Sequence, residues 1–240
     1  MKKNALITGG NSGIGFATAK LLREKGYAVT ICGRNKERVD KASSELNVTG
    51  IVADMANLDD ITSLSNKFIE TGLDVLVNNA AVAKFIPIEA NTEEDFDEFF
   101  KTNIRGPLAL IQALLPALKI KKGSITTVSS AVTNNGLPNA SIYAATKGAV
   151  DAFTKSLALE LAPQNVRINA VSPGAIDTPI ITKLGLSEEQ IIAIKEHQET
   201  LIPMHRFGRP EEVAQVILAQ LESTYVTGSI WSVDGGVDAY

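Results

Sequence analysis

Seven short stretches of this 240-residue chain are apolar on consecutive residues, where a half-exposed strand would be apolar only on alternate ones. They fall at 5–8, 28–32, 50–53, 73–77, 124–128, 166–171 and 229–233, and each is strand length and rich in Val, Ile or Thr. Stretches of this kind suit strands covered on both faces. Helical patterns separate them, at 13–25, 36–46, 59–70, 92–118, 141–161 and 210–221. Strand and helix alternating from end to end imply a parallel sheet with helices on both faces, joined by right-handed crossovers. The expected fold is α/β, a Rossmann-like doubly wound parallel sheet forming a single domain over 1–240. No linker, low-complexity segment or repeat divides it.

One stretch breaks the alternation. From Pro179 to Met204 there is no strand signal, and Ile180, Ile181, Leu184, Leu186, Ile191, Ile192 and Ile194 recur at roughly helical spacing. It follows the sixth strand, at the carboxyl edge where such sheets bind ligands. A helical substrate lid over 179–204 is therefore expected.

Composition narrows the partners. Hydrophobic residues at 45% and charged residues at 21% are those of a water-soluble globular protein. A formal net charge of -4 argues against nucleic acid and anionic membranes, which reward a basic surface. The single cysteine, Cys32, allows no intrachain disulfide and is expected in the core. The apolar run after Met1-Lys2-Lys3 is too short for a signal peptide, and no stretch is long enough to cross a membrane. A reducing, cytoplasmic setting is expected. His197 and His205 have no Cys or acidic neighbour at metal-ligand spacing, so no metal site is expected.

The first strand runs into Thr8-Gly9-Gly10-Asn11-Ser12-Gly13-Ile14-Gly15 and then directly into a helix. Glycines at 9, 13 and 15 let the backbone turn sharply and approach a pyrophosphate, which the free N–H groups of the helix start would hold. This turn resembles the T-G-x-x-x-G-x-G pattern of the short-chain dehydrogenase/reductase family. Separated motifs extend the likeness nearly end to end. Asn78-Asn79-Ala80-Ala81 is similar to the family's N-N-A-G, with Ala81 in place of the glycine. Asn103 stands where the family has its helix asparagine. Ser130 precedes Tyr143 by thirteen residues, Tyr143 and Lys147 form Y-x-x-x-K, and Pro173-Gly174 with Thr178 matches P-G-x-x-x-T.

The resemblance implies the catalytic set Asn103, Ser130, Tyr143 and Lys147. It implies cofactor contacts at Gly9, Ser12, Gly13, Ile14, Gly15, Arg34, Asp54, Met55, Asn79, Ala80, Tyr143, Lys147, Ile176 and Thr178. It also assigns Asn103 to a water-linked proton relay reaching Lys147. The chemistry is consistent with the spacing, since residues four apart leave one helix face together. A free tyrosine titrates near ~10, and a lysine ammonium within roughly 4–6 Å favours its phenolate by about 2–3 pKa units. Tyr143 is thus expected to move towards neutrality as acid/base. Ser130 is expected to donate to a substrate oxygen as charge develops there.

What the resemblance implies is hydride transfer between a nicotinamide and a small carbonyl or alcohol. The second strand ends Ile31-Cys32-Gly33-Arg34-Asn35, with Gly33 where an NAD-selective site places its acid. Arg34 next to it can hold a 2′-phosphate, so NADP(H) is expected, with NAD(H) as the alternative. Ser12 supplies no second basic residue in the glycine turn. Leu76 to Ala83 is similar to the carbonyl and xylulose reductase branch, although Ala140 replaces that branch's histidine. The runner-up is a 3-oxoacyl-carrier-protein reductase, for which Lys121-Lys122 and Arg167 are candidate docking residues. A non-catalytic dinucleotide sensor is disfavoured because Ser130, Tyr143 and Lys147 are all retained. A homo-oligomer, tetramer or dimer, packed on 92–118 and 141–161, is also implied.

Overall fold

The computed structural model describes residues 2–178 and 188–239. Seven strands form one sheet: β1 (Asn4–Thr8), β2 (Ala28–Gly33), β3 (Thr49–Val52), β4 (Val75–Asn78), β5 (Ser124–Val128), β6 (Arg167–Pro173) and β7 (Ile230–Val233). Their order is β3-β2-β1-β4-β5-β6-β7, all parallel. The chain builds outward from β1 to β3, then returns and builds the other way from β4 to β7. That reversal opens a crevice at the carboxyl ends of β1 and β4, the place where such sheets take ligands.

Both faces of the sheet are covered, which explains the consecutive apolar residues. In β1, Ala5 and Ile7 join one core and Leu6 joins the other; in β4, Val75 and Val77 join the first and Leu76 the second. The first core is closed by α1 (Gly13–Glu24), α2 (Lys36–Leu46) and α9 (Pro210–Glu222). The second is closed by α3 (Leu58–Asn66), α5 (Gly106–Lys121) and α7 (Ser141–Leu161). Leu22 of α1 and Ile217 of α9 are fully buried in the first core. Truncating either to Ala would cost about 2–5 kcal/mol. The remaining helices are α4 (Glu93–Phe100), α6 (Val132–Asn135) and α8 (Glu188–Leu201).

The single helix expected over 92–118 has a defect at its centre. Thr92 and Asp95 form a reciprocal capping box that starts α4. A π-helical turn then spans Lys101–Arg105, and α5 continues without a gap. Gly106 lies so close to the loop after β3 that a Cβ there would meet the Met55 carbonyl oxygen at 2.3 Å. The π turn carries Thr102 and Asn103, both buried. Such turns recur at functional sites because they shift side chains out of regular register. Hydrophobic periodicity does not reveal them.

Of the expected lid, α8 lies among the described residues, while 179–187 lies outside them. Lys195 of α8 pairs with Asp177 at 2.7 Å, which ties the helix to the segment after β6. Ile192 is exposed.

Candidate active site

The glycine turn is built from backbone held in place by two side chains. Gly9 and Gly13 have φ of +64° and +53°, values that disfavour any residue with a Cβ. A Cβ on Gly15 would sit 2.4 Å from the Gly9 carbonyl oxygen and 2.5 Å from Asn79 Nδ2. Asn79 Nδ2 donates to the carbonyl oxygens of Thr8 at 2.9 Å and Gly9 at 3.2 Å. The Thr8 hydroxyl accepts from the backbone N–H groups of Asn79 and Ala80, both at 3.0 Å. The carboxyl ends of β1 and β4 are thereby stapled together. Ser12 precedes α1 and makes no side-chain hydrogen bond to it. The first N–H groups of that helix are left for an anion, with the positive end of the helix dipole behind them.

A cleft of about 410 Å³ runs from this turn across the crevice. Gly9, Ser12, Gly13, Ile14 and Arg34 line it, as do Asp54, Met55, Asn79, Ala80 and Thr178. Gly15, Tyr143, Lys147 and Ile176 do not. Gly15 lies behind the turn and sets its depth, and Ile176 is buried, bridging to Gly208. Among the lining residues that the sequence reading did not assign to the site are Asn11, Thr102 and Arg38. Asn11 presses on Gly33, where a Cβ would meet its Oδ1 at 2.5 Å. Arg38 supplies the second basic group that Ser12 does not. The Asn35 side chain caps α2 by accepting from the Arg38 N–H at 2.9 Å, which sets Arg38 in the first turn of the helix while Arg34 stands just before its cap. The available signal was Asn35 as an N-cap, which fixes where that first turn begins.

At the other end, β5 and α7 bring the reacting groups together. Lys147 is buried and its Nζ donates to the Val128 carbonyl oxygen at 2.7 Å. The same nitrogen lies 5.7 Å from the centre of the Tyr143 ring. That ring sits edge-on to Phe85 and tilted to Phe99, with centroids 6.4 Å away in each case. The Ser130 hydroxyl faces the Tyr143 hydroxyl. Asn103 uses its whole amide: Oδ1 accepts from the Val82 N–H at 2.8 Å, and Nδ2 donates to the Val82 carbonyl at 2.9 Å and Thr146 Oγ1 at 3.1 Å. Thr146 Oγ1 in turn donates to the Tyr143 carbonyl oxygen at 2.8 Å. Asn103 therefore joins the cleft wall at Val82 to the helix that carries Tyr143.

The sign of the Tyr143 shift differs from expectation. Burial raises its pKa above the ordinary tyrosine value, and the Ser130 hydroxyl opposes this in smaller measure. Burial also lowers Lys147 to about 8, against a smaller upward pull from Asp151. Desolvation is the leading cause of both shifts, at the half-buried Tyr143 and at the buried Lys147. The consequence suits an acid: Tyr143 keeps its proton at neutral pH, ready to give it to a carbonyl oxygen.

A family model described as enoyl-(acyl carrier protein) reductase matches residues 9–238. The chain belongs to the short-chain dehydrogenase/reductase family. A 3-oxoacyl-(acyl-carrier-protein) reductase of Thermotoga maritima is 39% identical over 98% of this chain and 97% of its own length. The structure of a 3-ketoacyl-(acyl-carrier-protein) reductase from Brucella melitensis complexed with NADH superposes with a TM-score of 0.91 at 30% identity, covering 98% of both chains. An actinorhodin polyketide ketoreductase variant with NADPH gives 0.92 at 28% identity, over 100% of this chain and 98% of that one.

As a member of this family the protein is an oxidoreductase that interconverts C=O and CH–OH groups with NAD(P)H. The cleft fits a dinucleotide on its own geometry: at 9 and 15 a Cβ would run into Asn79, so only glycine lets the turn fold this tightly and leave the first N–H groups of α1 facing the cleft. Gly9, Ser12, Gly13 and Ile14 would hold the diphosphate, Arg34 and Asp54 the adenosine, and Asn79, Lys147 and Thr178 the nicotinamide riboside. The bound nicotinamide supplies or accepts the hydride. Ser130 and Tyr143 offer two hydroxyls that could share one carbonyl oxygen, one of them with a proton to give. Lys147 would orient Tyr143 and, while charged, favour a phenolate there.

The loop between Ser130 and Tyr143 joins the two hydroxyl-bearing residues of the site. Its short α6 is tied to the C-terminus by Asp238, whose carboxylate accepts from Asn134 Nδ2 at 2.8 Å, from Asn135 Nδ2 and from Ser232 Oγ. No sequence pattern announced that contact across about a hundred residues.

Proposed function

We propose that this reductase uses NADPH in preference to NADH to reduce a small ketone or aldehyde, with Tyr143 as the acid, Ser130 as its partner donor and Lys147 behind both. The observation that carries the cofactor reading is the cleft's far wall. Arg34 and Arg38 line it, and β2 ends in Gly33, so the end of the strand itself places no acid against a 2′-phosphate. A charge-assisted contact from one guanidinium is worth about 1.5–3 kcal/mol. Wild type is expected to favour NADPH by at least about tenfold in kcat/KM, and Arg34→Ala to erase most of that preference. Steady-state kinetics with both cofactors tests it. An NADH preference in wild type, or an unchanged ratio in the Ala variant, refutes the role of Arg34.

A second substrate reading is favoured by the name of the Thermotoga relative, a 3-oxoacyl group carried on an acyl carrier protein. Arg167 does not support it, since its guanidinium is spent on the carbonyl oxygens of Gln220, Leu221 and Val226 at 2.8–3.1 Å. Lys122 remains exposed. Comparing a small β-ketoester with the same group on carrier protein separates the readings. In either case the segment 179–204 is proposed to close over substrate, and the protein to act in the cytoplasm as a homo-oligomer. Exposed apolar side chains on the two implied helices, Phe96 at 47% and Leu159 at 81%, support the oligomer.

A further inference from the structure

Two sets of charges face each other across the adenosine end of the cleft. Arg34 and Arg38 stand on one lip. On the other, α4 presents Asp95 and Glu98 one turn apart, and the segment after β4 presents Lys84. Lys84 Nζ lies 2.6 Å from Asp95 Oδ1 and 2.8 Å from Glu98 Oε2. The second oxygen of Glu98, Oε1, points the other way and lies 3.5 Å from Arg34 Nη1. Hydrogen bonds from Lys84 hold both carboxyls below their usual range, so Glu98 is ionised at neutral pH. The Glu98 side chain is 32% exposed and fixed by Lys84, while that of Arg34 is 65% exposed and has room to turn. Glu98 is therefore the anchored half of the pair and Arg34 the movable half.

We infer that Glu98 sets how strongly this reductase selects the 2′-phosphate, by competing with it for Arg34. The inference rests on the reading of Arg34 as the phosphate contact and adds the group that tempers it. A 2′-phosphate needs the guanidinium that Glu98 holds and meets a carboxylate beside it, whereas a free 2′-hydroxyl carries no charge for that carboxylate to repel. Lys84 is a positioning residue: it orients Glu98 and partly offsets its charge. Selection for the phosphorylated cofactor is accordingly weaker than two arginines without Glu98 would give.

The test uses 2′,5′-ADP and 5′-AMP, which differ in the 2′-phosphate and carry no nicotinamide. Their dissociation constants are measured by calorimetry on the full chain as wild type, Glu98→Gln, Arg34→Ala and the double variant. Exposed ion pairs are weak, so Glu98→Gln is expected to widen the AMP-to-ADP ratio by roughly two- to five-fold. The gain is expected to shrink at high salt and to vanish when Arg34 is already Ala. An unchanged ratio in Glu98→Gln overturns the inference. So does a gain that persists undiminished without Arg34, because the carboxylate would then act on the phosphate directly. An Arg34→Ala variant that keeps the wild-type ratio instead refutes the phosphate reading itself, so the two failures are distinguishable.

Discussion

The two ends of the cleft are built by opposite means. At the diphosphate end the binding surface is backbone, and the turn that shapes it is firmly held: Thr8 and Asn79 clasp it with four hydrogen bonds of 2.9–3.2 Å. At the catalytic end the surface is side chain, and the strands and helix that build it bury several poorly satisfied groups along their length. Among the described residues, the buried side-chain atoms without a partner belong to Asn78, Ser124, Thr127, Asp151, Thr154 and Ser172. All lie on β4, β5, β6 or α7, and Asn78 and Thr127 are neighbours in register. Tyr143 and Lys147, with shifted pKa values, belong to the same region. A phosphate cradle needs only shape and N–H groups, and both can be stable without ligand. A proton-transfer site needs groups poised between two charge states, and folding must tolerate the cost of burying them.

The sharpest way to break this contrast is Lys147→Met, which removes the ammonium and keeps the volume. Loss of the charge that steadies the Tyr143 phenolate should lower kcat by at least about 10²-fold. Stability should respond in the opposite sense. Folding depresses the Lys147 pKa to about 8, from an unfolded value near about 10.4. Below pH 8 both states hold the proton, and the folded state bears the full cost of burying it. Between about 8 and 10.4 the unfolded chain binds more protons, so wild-type stability should rise with pH relative to the Met variant. The gain should approach about 3 kcal/mol. Denaturant melts of both proteins across that window check it; parallel pH curves would mean that Lys147 bears no such cost.

A smaller effect sharpens the other side. Gly15→Ala places a methyl group against the Gly9 carbonyl, which is backbone and cannot swing away. The turn must shift, and NADPH affinity should fall by about tenfold, in line with a strain of about 1–3 kcal/mol. Fluorescence titration measures it. Wild-type affinity in the Ala variant would show that the cradle is not set by close backbone packing.

The same contrast explains what could be seen in the sequence. Each of the seven apolar runs lies within two residues of a strand, because burial on both faces leaves a local trace. The glycine turn was equally visible, since its spacing is a local demand of the backbone. Arg38 was missed because its place near Arg34 depends on the Asn35 cap that starts α2 between them, and no periodic spacing marks it. The π turn at Asn103, the Asp238 contacts with α6 and the Lys84–Glu98–Arg34 chain join distant segments and leave no periodic mark. The Tyr143 shift was given the wrong sign because spacing reveals which charges are near and not how deeply they are buried.

The central claim is that Tyr143 performs the proton transfer while the rest of the cleft binds cofactor independently of it. Tyr143→Phe removes one hydroxyl and keeps the ring between Phe85 and Phe99. Single-turnover reduction of a ketone with NADPH already bound, alongside the NADPH dissociation constant, measures both halves at once. The expected result is a rate reduced by at least about 10²-fold with NADPH affinity unchanged within a few-fold. Near wild-type turnover in the Phe variant would contradict it.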